Sequence, residues 1–276
     1  MNSEGWGLQR WANHFNQMLN LANPPNRYRF DVGRLAMETT AQMFPGDPIV
    51  KVEEEDLEGF AGALVPAESR TRWGIAYGKG QSPGRRRFTI AHEFGHFLLH
   101  RKKYPNGIHS SEADVDGRTK IEVEREANEF ASWLLMPLDD FRKQIAPRDK
   151  PDFDAIGNCA TRYEVSLVAA VLRWLRYTER RAVFVNSIDG YVNWAWSSDA
   201  AFKSGNFIRT SRGPCGASSR IRRRAAAVHA GSPERRRSRC RSVVQSTRQR
   251  AFVPEREVRH RLHVAPSGRC GAKIVV

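Results

Sequence analysis

A short, almost uncharged run around two histidines constrains this chain most. The segment 88–100 has the sequence FTIAHEFGHFLLH. Its apolar character predicts a buried helix, and residues four apart on a helix lie on the same face. His92 and His96 can therefore direct ring nitrogens to a common point. Burying these rings together with Glu93 is unfavourable unless the polar groups are paired or bound to a ligand.

The HEFGH pattern at 92–96 has the spacing of a zinc site. Zinc takes imidazole nitrogens at about 2.0–2.1 Å in a tetrahedral arrangement, and two histidines one turn apart supply two of them. The glutamate between them stands beside the open position, where it can accept a proton from bound water. We therefore predict His92 and His96 as zinc ligands and Glu93 as the catalytic residue.

A catalytic zinc usually has a third protein ligand. His100 shares the helical face, but eight residues separate it from His92, which places their backbones roughly 12 Å apart along the axis. His100 is therefore predicted to be a side chain at the helix end or a hydrogen-bond donor to a ligand. The longer pattern HExxHxxGxxH is absent, because residue 99 is leucine and residue 102 is lysine.

The predicted helix 121–136 supplies acidic candidates for the third ligand. Glu126 stacks with Phe130 one turn later, and Glu122 stacks with Glu126. Glu124 is predicted to face water. Position on the helix therefore favours Glu126 as the third ligand, with Glu122 as the second candidate. For each of these residues, a solvated helix start near the positive end of the helix dipole is an equally good explanation.

The other patterns alternate between helices and short strands. Three β-like runs precede the histidine helix, and Asp189-Gly190 between two alternating runs predicts a hairpin. The predicted helices are 6–21, 31–43, 88–100, 121–136 and 152–178, and the predicted strands are 49–52, 60–65, 73–77, 182–186 and 191–196. This order predicts an α+β fold with a small mixed sheet. We expect a core over 1–150 and a helical segment with a β-hairpin packing on it over 151–208.

Residues 209–276 differ in kind from the rest. They hold 17 arginines and one lysine against three glutamates, so the net charge of +15 lies there and the remaining chain is neutral. With one aromatic residue and no periodicity, such a segment buries too little apolar surface to offset its ordering entropy. The composition of 212–276 resembles a GC-rich reading frame translated out of register. The alternative is a basic arm that contacts nucleic acid through phosphates, although it lacks interleaved aromatic residues.

The sequence also constrains compartment and redox chemistry. No stretch approaches the roughly 18 uncharged apolar residues of a membrane helix. The N-terminal sequence MNSEGWGLQRWANHF lacks the apolar core of a signal peptide. Cys159 is the one cysteine before the arginine-rich segment, which excludes a disulfide framework in that part. We expect a cytoplasmic protein that does not associate with membranes.

Two motif blocks together resemble the ImmA/IrrE family of metallo-endopeptidases. The blocks are HEFGHFLLH and, after a variable gap, EREANEFASWLLMP, and the resemblance extends over residues 10–208. It implies a zincin-like metallopeptidase fold with a Zn²⁺ cofactor. In that family the acidic ligand directly precedes Ala-Asn, so the resemblance implies that His92, His96 and Glu126 bind the metal and that Glu93 is catalytic.

The resemblance also implies a partner. Members of the family are cytoplasmic proteases that typically cleave helix-turn-helix repressors encoded beside them, and cleavage relieves repression. We therefore expect a helix-turn-helix repressor as the protein substrate. Residues 212–276 have no counterpart in the family.

A second function class also has to be considered, that of a DNA-binding regulator with a structural metal. The segment 156–176 has a helix-turn-helix cadence in which Ser166 opens the second helix. A recognition helix would present Lys or Arg near its N-terminus. Here that position holds Leu167 and Val168, which favours packing on the core.

Overall fold

The computed structural model describes residues 5–22, 27–107, 117–188, 191–208 and 270–275. Within these ranges the chain forms eight helices and six strands, which confirms the predicted α+β class. The elements follow in the order α1 (Leu8–Ala22), α2 (Val32–Met43), β1 (Ile49–Glu55), β2 (Gly62–Pro66), β3 (Trp73–Gly78), α3 (Pro83–His100), α4 (Gly117–Leu135), α5 (Leu138–Gln144), α6 (Phe153–Tyr163), α7 (Leu167–Leu175), β4 (Val183–Ile188), β5 (Tyr191–Ser197), α8 (Asp199–Lys203) and β6 (Cys270–Val275).

The three strands before α3 form one small mixed sheet. Its order is β1-β3-β2, with β1 parallel and β2 antiparallel to β3. One apolar residue on each strand is fully buried, namely Ile49, Leu64 and Ile75. Strand β2 lies against α3, because Gly62 approaches the side chains of Thr89 and Glu93. The sheet therefore forms one wall beside the histidine helix.

Helices α3 and α4 pack closely at the glycine of the HEFGH motif. A Cβ added to Gly95 would lie 2.9 Å from Phe130 Cδ1 and 3.3 Å from Ala127 Cα. A separation of 2.9 Å is shorter than real Cβ contacts, so a side chain at residue 95 would require Phe130 or the two helices to shift. The glycine therefore permits the helix contact that brings residues of α4 to the histidines.

An alanine at Gly95 is expected to destabilise the protein by about 1–3 kcal/mol, because overpacking outweighs the gain in helix propensity. The matched control is Gly157→Ala in α6, where an added Cβ meets no atom within 4 Å. That change is expected to be neutral or to stabilise by up to about 1 kcal/mol. Urea unfolding of both variants measures the difference. Equal stability of the two variants would contradict the close helix contact.

An aromatic cluster behind the histidines holds α1, α3 and α4 together. Phe15 of α1 contacts Phe94 at 5.2 Å and Phe130 at 6.4 Å between ring centroids. Phe94 and Phe130 are 5.7 Å apart in an edge-to-face arrangement. All three side chains are fully buried. Because edge-to-face pairs are directional, this cluster fixes the rotation of α3 and α4 relative to each other.

Helices α6 and α7 form the segment with the helix-turn-helix cadence. Glu164 ends α6 in the left-handed conformation, and the Ser166 side chain accepts a hydrogen bond from the Ala169 amide to open α7. The predicted cap at Ser166 is therefore confirmed. Leu167 and Val168 are partly buried and pack against the hydrophobic core. The first turn of α7 thus contacts the protein interior.

A second sheet follows α7, with the order β5-β4-β6 and antiparallel pairing throughout. Strands β4 and β5 pair as the hairpin signal predicts, although Asp189 and Gly190 themselves lie outside the described residues. Strand β6 corrects one expectation, because residues 270–275 of the segment predicted to have little order pair with β4. A segment can join the edge of an existing sheet through main-chain hydrogen bonds, which do not depend on a helical or alternating pattern of apolar side chains. Residues 209–269 lie outside the described part of the chain.

Hydropathy along the helices bears on membrane association. In the described ranges, none of the helices combines the length and the apolar character needed to cross a bilayer.

Candidate metal centre

Helix α3 presents its two motif histidines side by side. The Nε2 atoms of His92 and His96 are 3.0 Å apart. The His96 side chain is only 2% exposed and that of His92 14%. Their rings meet nearly at right angles, with centroids 4.6 Å apart. The predicted convergence of the two imidazoles is therefore present in the structure.

Helix α4 brings Glu124 to both rings. Its carboxylate oxygens lie 3.3 Å from His92 Nε2 and 3.5 Å from His96 Nε2. One donor atom from each of these three residues lies within 4.8 Å of the other two. Two imidazole nitrogens and a carboxylate oxygen, drawn from two helices, thus face one another where α3 meets α4.

These separations fit a zinc ion. Ligands held at about 2.0–2.1 Å in a tetrahedral array lie about 3.3 Å from one another. The two Nε2 atoms are 3.0 Å apart, and the Glu124 carboxylate faces each of them with a different oxygen, with Oε2 at 3.3 Å from His92 and Oε1 at 3.5 Å from His96. Two histidines and one glutamate form a donor set used by catalytic zinc sites. The donor chemistry and the spacing therefore both suit this metal.

Asn128 orients the first histidine. It lies one turn after Glu124 on α4, and its side-chain Oδ1 accepts a hydrogen bond from His92 Nδ1 at 3.1 Å. With the proton on Nδ1, the Nε2 lone pair of His92 faces His96 and Glu124. Such outer contacts fix the ring orientation and tautomer of metal-binding histidines. Nothing in the sequence analysis identified Asn128; the signal available was its spacing of four residues from Glu124.

Glu126, the predicted third ligand, is placed elsewhere. Its Oε2 lies 3.0 Å from His100 Nε2, and the structure does not bring it to His92 and His96. The expectation that Glu124 faces water was wrong, because its carboxylate contacts both His92 and His96. His100 is buried and contacts His96 Nδ1 at 3.1 Å. It lies on the side of His96 opposite to the three-residue group.

The helical geometry explains why the sequence alone could not tell which of Glu124 and Glu126 lies beside His92 and His96. On α4 the buried residues form one apolar stripe, composed of Val123, Ala127, Phe130, Ala131 and Leu134. At 100° per residue, Glu124 borders this stripe on one side and Glu126 borders it on the other. The rotation of α4 against α3 determines which of these two borders faces His92 and His96. The aromatic cluster and Gly95 set that rotation, and neither is visible in the spacing of the acidic residues.

Glu93 lies beside the three-residue group in a confined space. It is 4% exposed, and a Cβ added to Gly62 of β2 would lie 2.8 Å from its Oε1. Burial raises the pKa of Glu93 to about 7, against the opposing influence of the neighbouring His92. A carboxyl group poised near neutrality can both accept and return a proton. Glu93 is thus a buried carboxyl group on the same helix as the two histidines, outside the group of three donor residues.

Metal binding requires neutral imidazoles and an ionised carboxylate, and the pKa values of His96 and Glu124 favour these states. For His92, burial alone would lower the pKa, but the neighbouring Glu124 and Glu93 outweigh it and raise that pKa. Burial lowers the pKa of His96 to about 4, so this ring is neutral at physiological pH. Burial alone would raise the pKa of Glu124, but its contacts with the rings of His92 and His96 outweigh it and hold that pKa well below its usual range. Glu124 is therefore a carboxylate.

The raised pKa of Glu93 predicts a pH-dependent stability of the metal-free protein. Because the folded state holds this proton more tightly, stability falls as pH rises from the ordinary value of 4.5 to about 7. We expect Glu93→Gln to be more stable than wild type by about 2–3 kcal/mol above pH 7 and equally stable near pH 4. Urea unfolding across this range, with chelator present, measures it. A difference in the free energy of unfolding that stays constant at all pH values would show that the pKa of Glu93 is not its cause.

The geometry and the comparisons with known proteins agree on a class. A helix with two histidines one turn apart that meets a carboxylate from a second helix is the donor arrangement of a metallopeptidase-like domain. Residues 46–175 match the Peptidase_M78 family, described as an IrrE N-terminal-like domain. The predicted resemblance to the ImmA/IrrE family is thereby confirmed, and the match supports a peptidase.

Among solved structures, the chain is similar to a Mycobacterium tuberculosis transcriptional regulator. The two share 14% sequence identity with a TM-score of 0.41. The similarity covers 67% of this chain and 55% of that chain, so this protein spans little more than half the length of the regulator. No curated protein matches the chain.

Proposed function

We propose that the protein is a zinc-dependent endopeptidase. The observation that carries the proposal is the meeting of His92, His96 and Glu124 within 4.8 Å, beside the buried carboxyl group of Glu93. In this proposal His92, His96 and Glu124 are the metal ligands. Glu126, which the family resemblance implied, supports His100 instead.

The roles of the residues follow from their positions. Bound zinc would polarise the scissile carbonyl and lower the pKa of its water to about 7. Glu93 accepts the proton of the attacking water and then delivers it to the leaving amine. A pKa near neutrality suits both transfers, and burial supplies it. Asn128 keeps the Nε2 atom of His92 directed into the site.

We propose a helix-turn-helix repressor as the substrate, on the strength of the family resemblance. The match over residues 46–175 supports the peptidase domain. In this proposal the protein acts in the cytoplasm, and cleavage of the repressor relieves repression of its target genes. The buried surface of Leu167 and Val168 in α7 favours this function over direct DNA binding through the α6–α7 pair.

The test combines metal analysis with a cleavage assay. Purified protein should carry about one zinc per chain, as expected for a site with three protein ligands. The substrate is the repressor encoded beside the gene, and mass spectrometry of the fragments identifies the bond cut. A chelator should stop cleavage and added zinc should restore it. Protein that binds no transition metal, or cleavage that persists in chelator, would overturn the proposal.

A further inference from the structure

Three side chains form a hydrogen-bonded line behind the candidate metal centre. Glu126 Oε2 lies 3.0 Å from His100 Nε2. On the other side of the same ring, His100 Nδ1 lies 3.1 Å from His96 Nδ1. His96 Nε2 then faces His92 and Glu124. The line thus runs from a half-exposed carboxylate on α4 through two buried rings of α3 to the donor atoms.

The chemistry of the groups fixes where the protons lie. A carboxylate can only accept, so His100 Nε2 carries the proton that Glu126 accepts. A neutral imidazole has one donor and one acceptor, so His100 Nδ1 accepts from the N–H at His96 Nδ1. His96 is then left with its lone pair on Nε2, the atom that points toward His92 and Glu124. This is the tautomer that a metal ligand requires.

The two ligand histidines are supported in parallel from their Nδ1 sides. Asn128 accepts directly from His92. For His96 the acceptor is His100, whose own orientation depends on Glu126. Helix α4 contributes Glu126 and Asn128, two and four residues after Glu124. The same helix therefore supplies one donor residue, Glu124, and the two residues that orient the histidine donors.

We propose that His100 and Glu126 are positioning residues, which hold His96 in the tautomer and orientation needed to bind the metal. This inference rests on the proposed metal site. Glu126 acts through His100 and does not contact the metal. Outer contacts of this kind typically change metal affinity by about 10–100-fold.

The experiment measures zinc affinity by competition with a chromophoric chelator in three variants of the full chain. His100→Phe keeps an aromatic ring and removes both hydrogen bonds, Glu126→Gln removes the ionised acceptor, and the third variant combines them. Each single change should weaken zinc binding by about 10–100-fold. Because Glu126 acts through His100, the double variant should be no weaker than His100→Phe. The matched control is Glu122→Gln on the same helix, whose side chain is 67% exposed and which should bind zinc like wild type.

A second measurement reads the tautomer directly. In zinc-loaded wild type, ¹⁵N shifts of the histidine rings should show His96 protonated at Nδ1 and metal-bound at Nε2. The visible spectrum of the cobalt-substituted protein should change in both single variants and not in the control. Should His100→Phe fail to fold, Glu126→Gln still decides the question, because its side chain is 36% exposed.

The possible failures are distinguishable. Wild type that binds no zinc would overturn the proposed function and this inference with it. Wild type that binds zinc, together with variants of unchanged affinity, would overturn the inference alone. Additive losses in the double variant, or His96 bound through Nδ1, would also overturn it.

Discussion

Replacing Glu93 with glutamine should abolish most of the peptidase activity while leaving the metal in place. Glutamine has nearly the same shape but cannot take the proton of the attacking water, and loss of a general base costs about 10²–10⁴-fold in rate. The three donor atoms come from other residues, so zinc content should stay at the wild-type level. The measurement is the initial rate of repressor cleavage together with zinc analysis of the same samples.

The control for this variant is Glu122→Gln, which makes the same chemical change at an exposed position. It should cleave at the wild-type rate. Should Glu93→Gln retain wild-type activity, the assignment of Glu93 as the catalytic base is wrong. Should Glu93→Gln lose zinc together with activity, the missing metal would explain the inactivity, and Glu93 would not be identified as the base. Stable complexes of the inactive variant with repressor would further support a role in chemistry, because binding would then persist without turnover.

The sequence predicted the parts of the site that depend on one helix. His92 and His96 meet because residues four apart on a helix share a face, and this holds whatever α3 packs against. Local signals were equally informative elsewhere. Ser166 caps α7 by accepting a hydrogen bond from the Ala169 amide three residues later, as predicted. Such features need only a few neighbouring residues.

The sequence could not predict the parts that depend on two elements. Glu124 and Glu126 border the same apolar stripe of α4, and the rotation of α4 against α3 decides which of them reaches the histidines. Gly95 and Phe130 set that rotation through contacts between residues far apart in the chain. Gly62 of β2 lies against Glu93 for the same kind of reason. Strand β6 pairs with β4 across an even longer separation.

The choice between the two glutamates gives the second large effect. Glu124→Gln is expected to weaken zinc binding by more than about 100-fold, beyond the range typical of outer contacts. An ionised carboxylate is replaced by a neutral amide at a position 3.3 Å from His92 Nε2 and 3.5 Å from His96 Nε2. Cleavage should fall with the metal, and excess zinc should restore part of it. Zinc competition and cleavage at two zinc concentrations measure both effects.

Glu126→Gln is the decisive comparison, because it makes the same change two residues away on the same helix. The geometry places Glu126 3.0 Å from His100 and apart from the three donor atoms, so its loss should be smaller than that of Glu124. The reverse order, with zinc lost in Glu126→Gln and kept in Glu124→Gln, would support the ligand implied by the family resemblance. It would require α4 to rotate when metal binds, carrying Glu126 across the apolar stripe. Since Phe130 packs against Gly95 and Phe94 of α3, such a rotation would break these contacts.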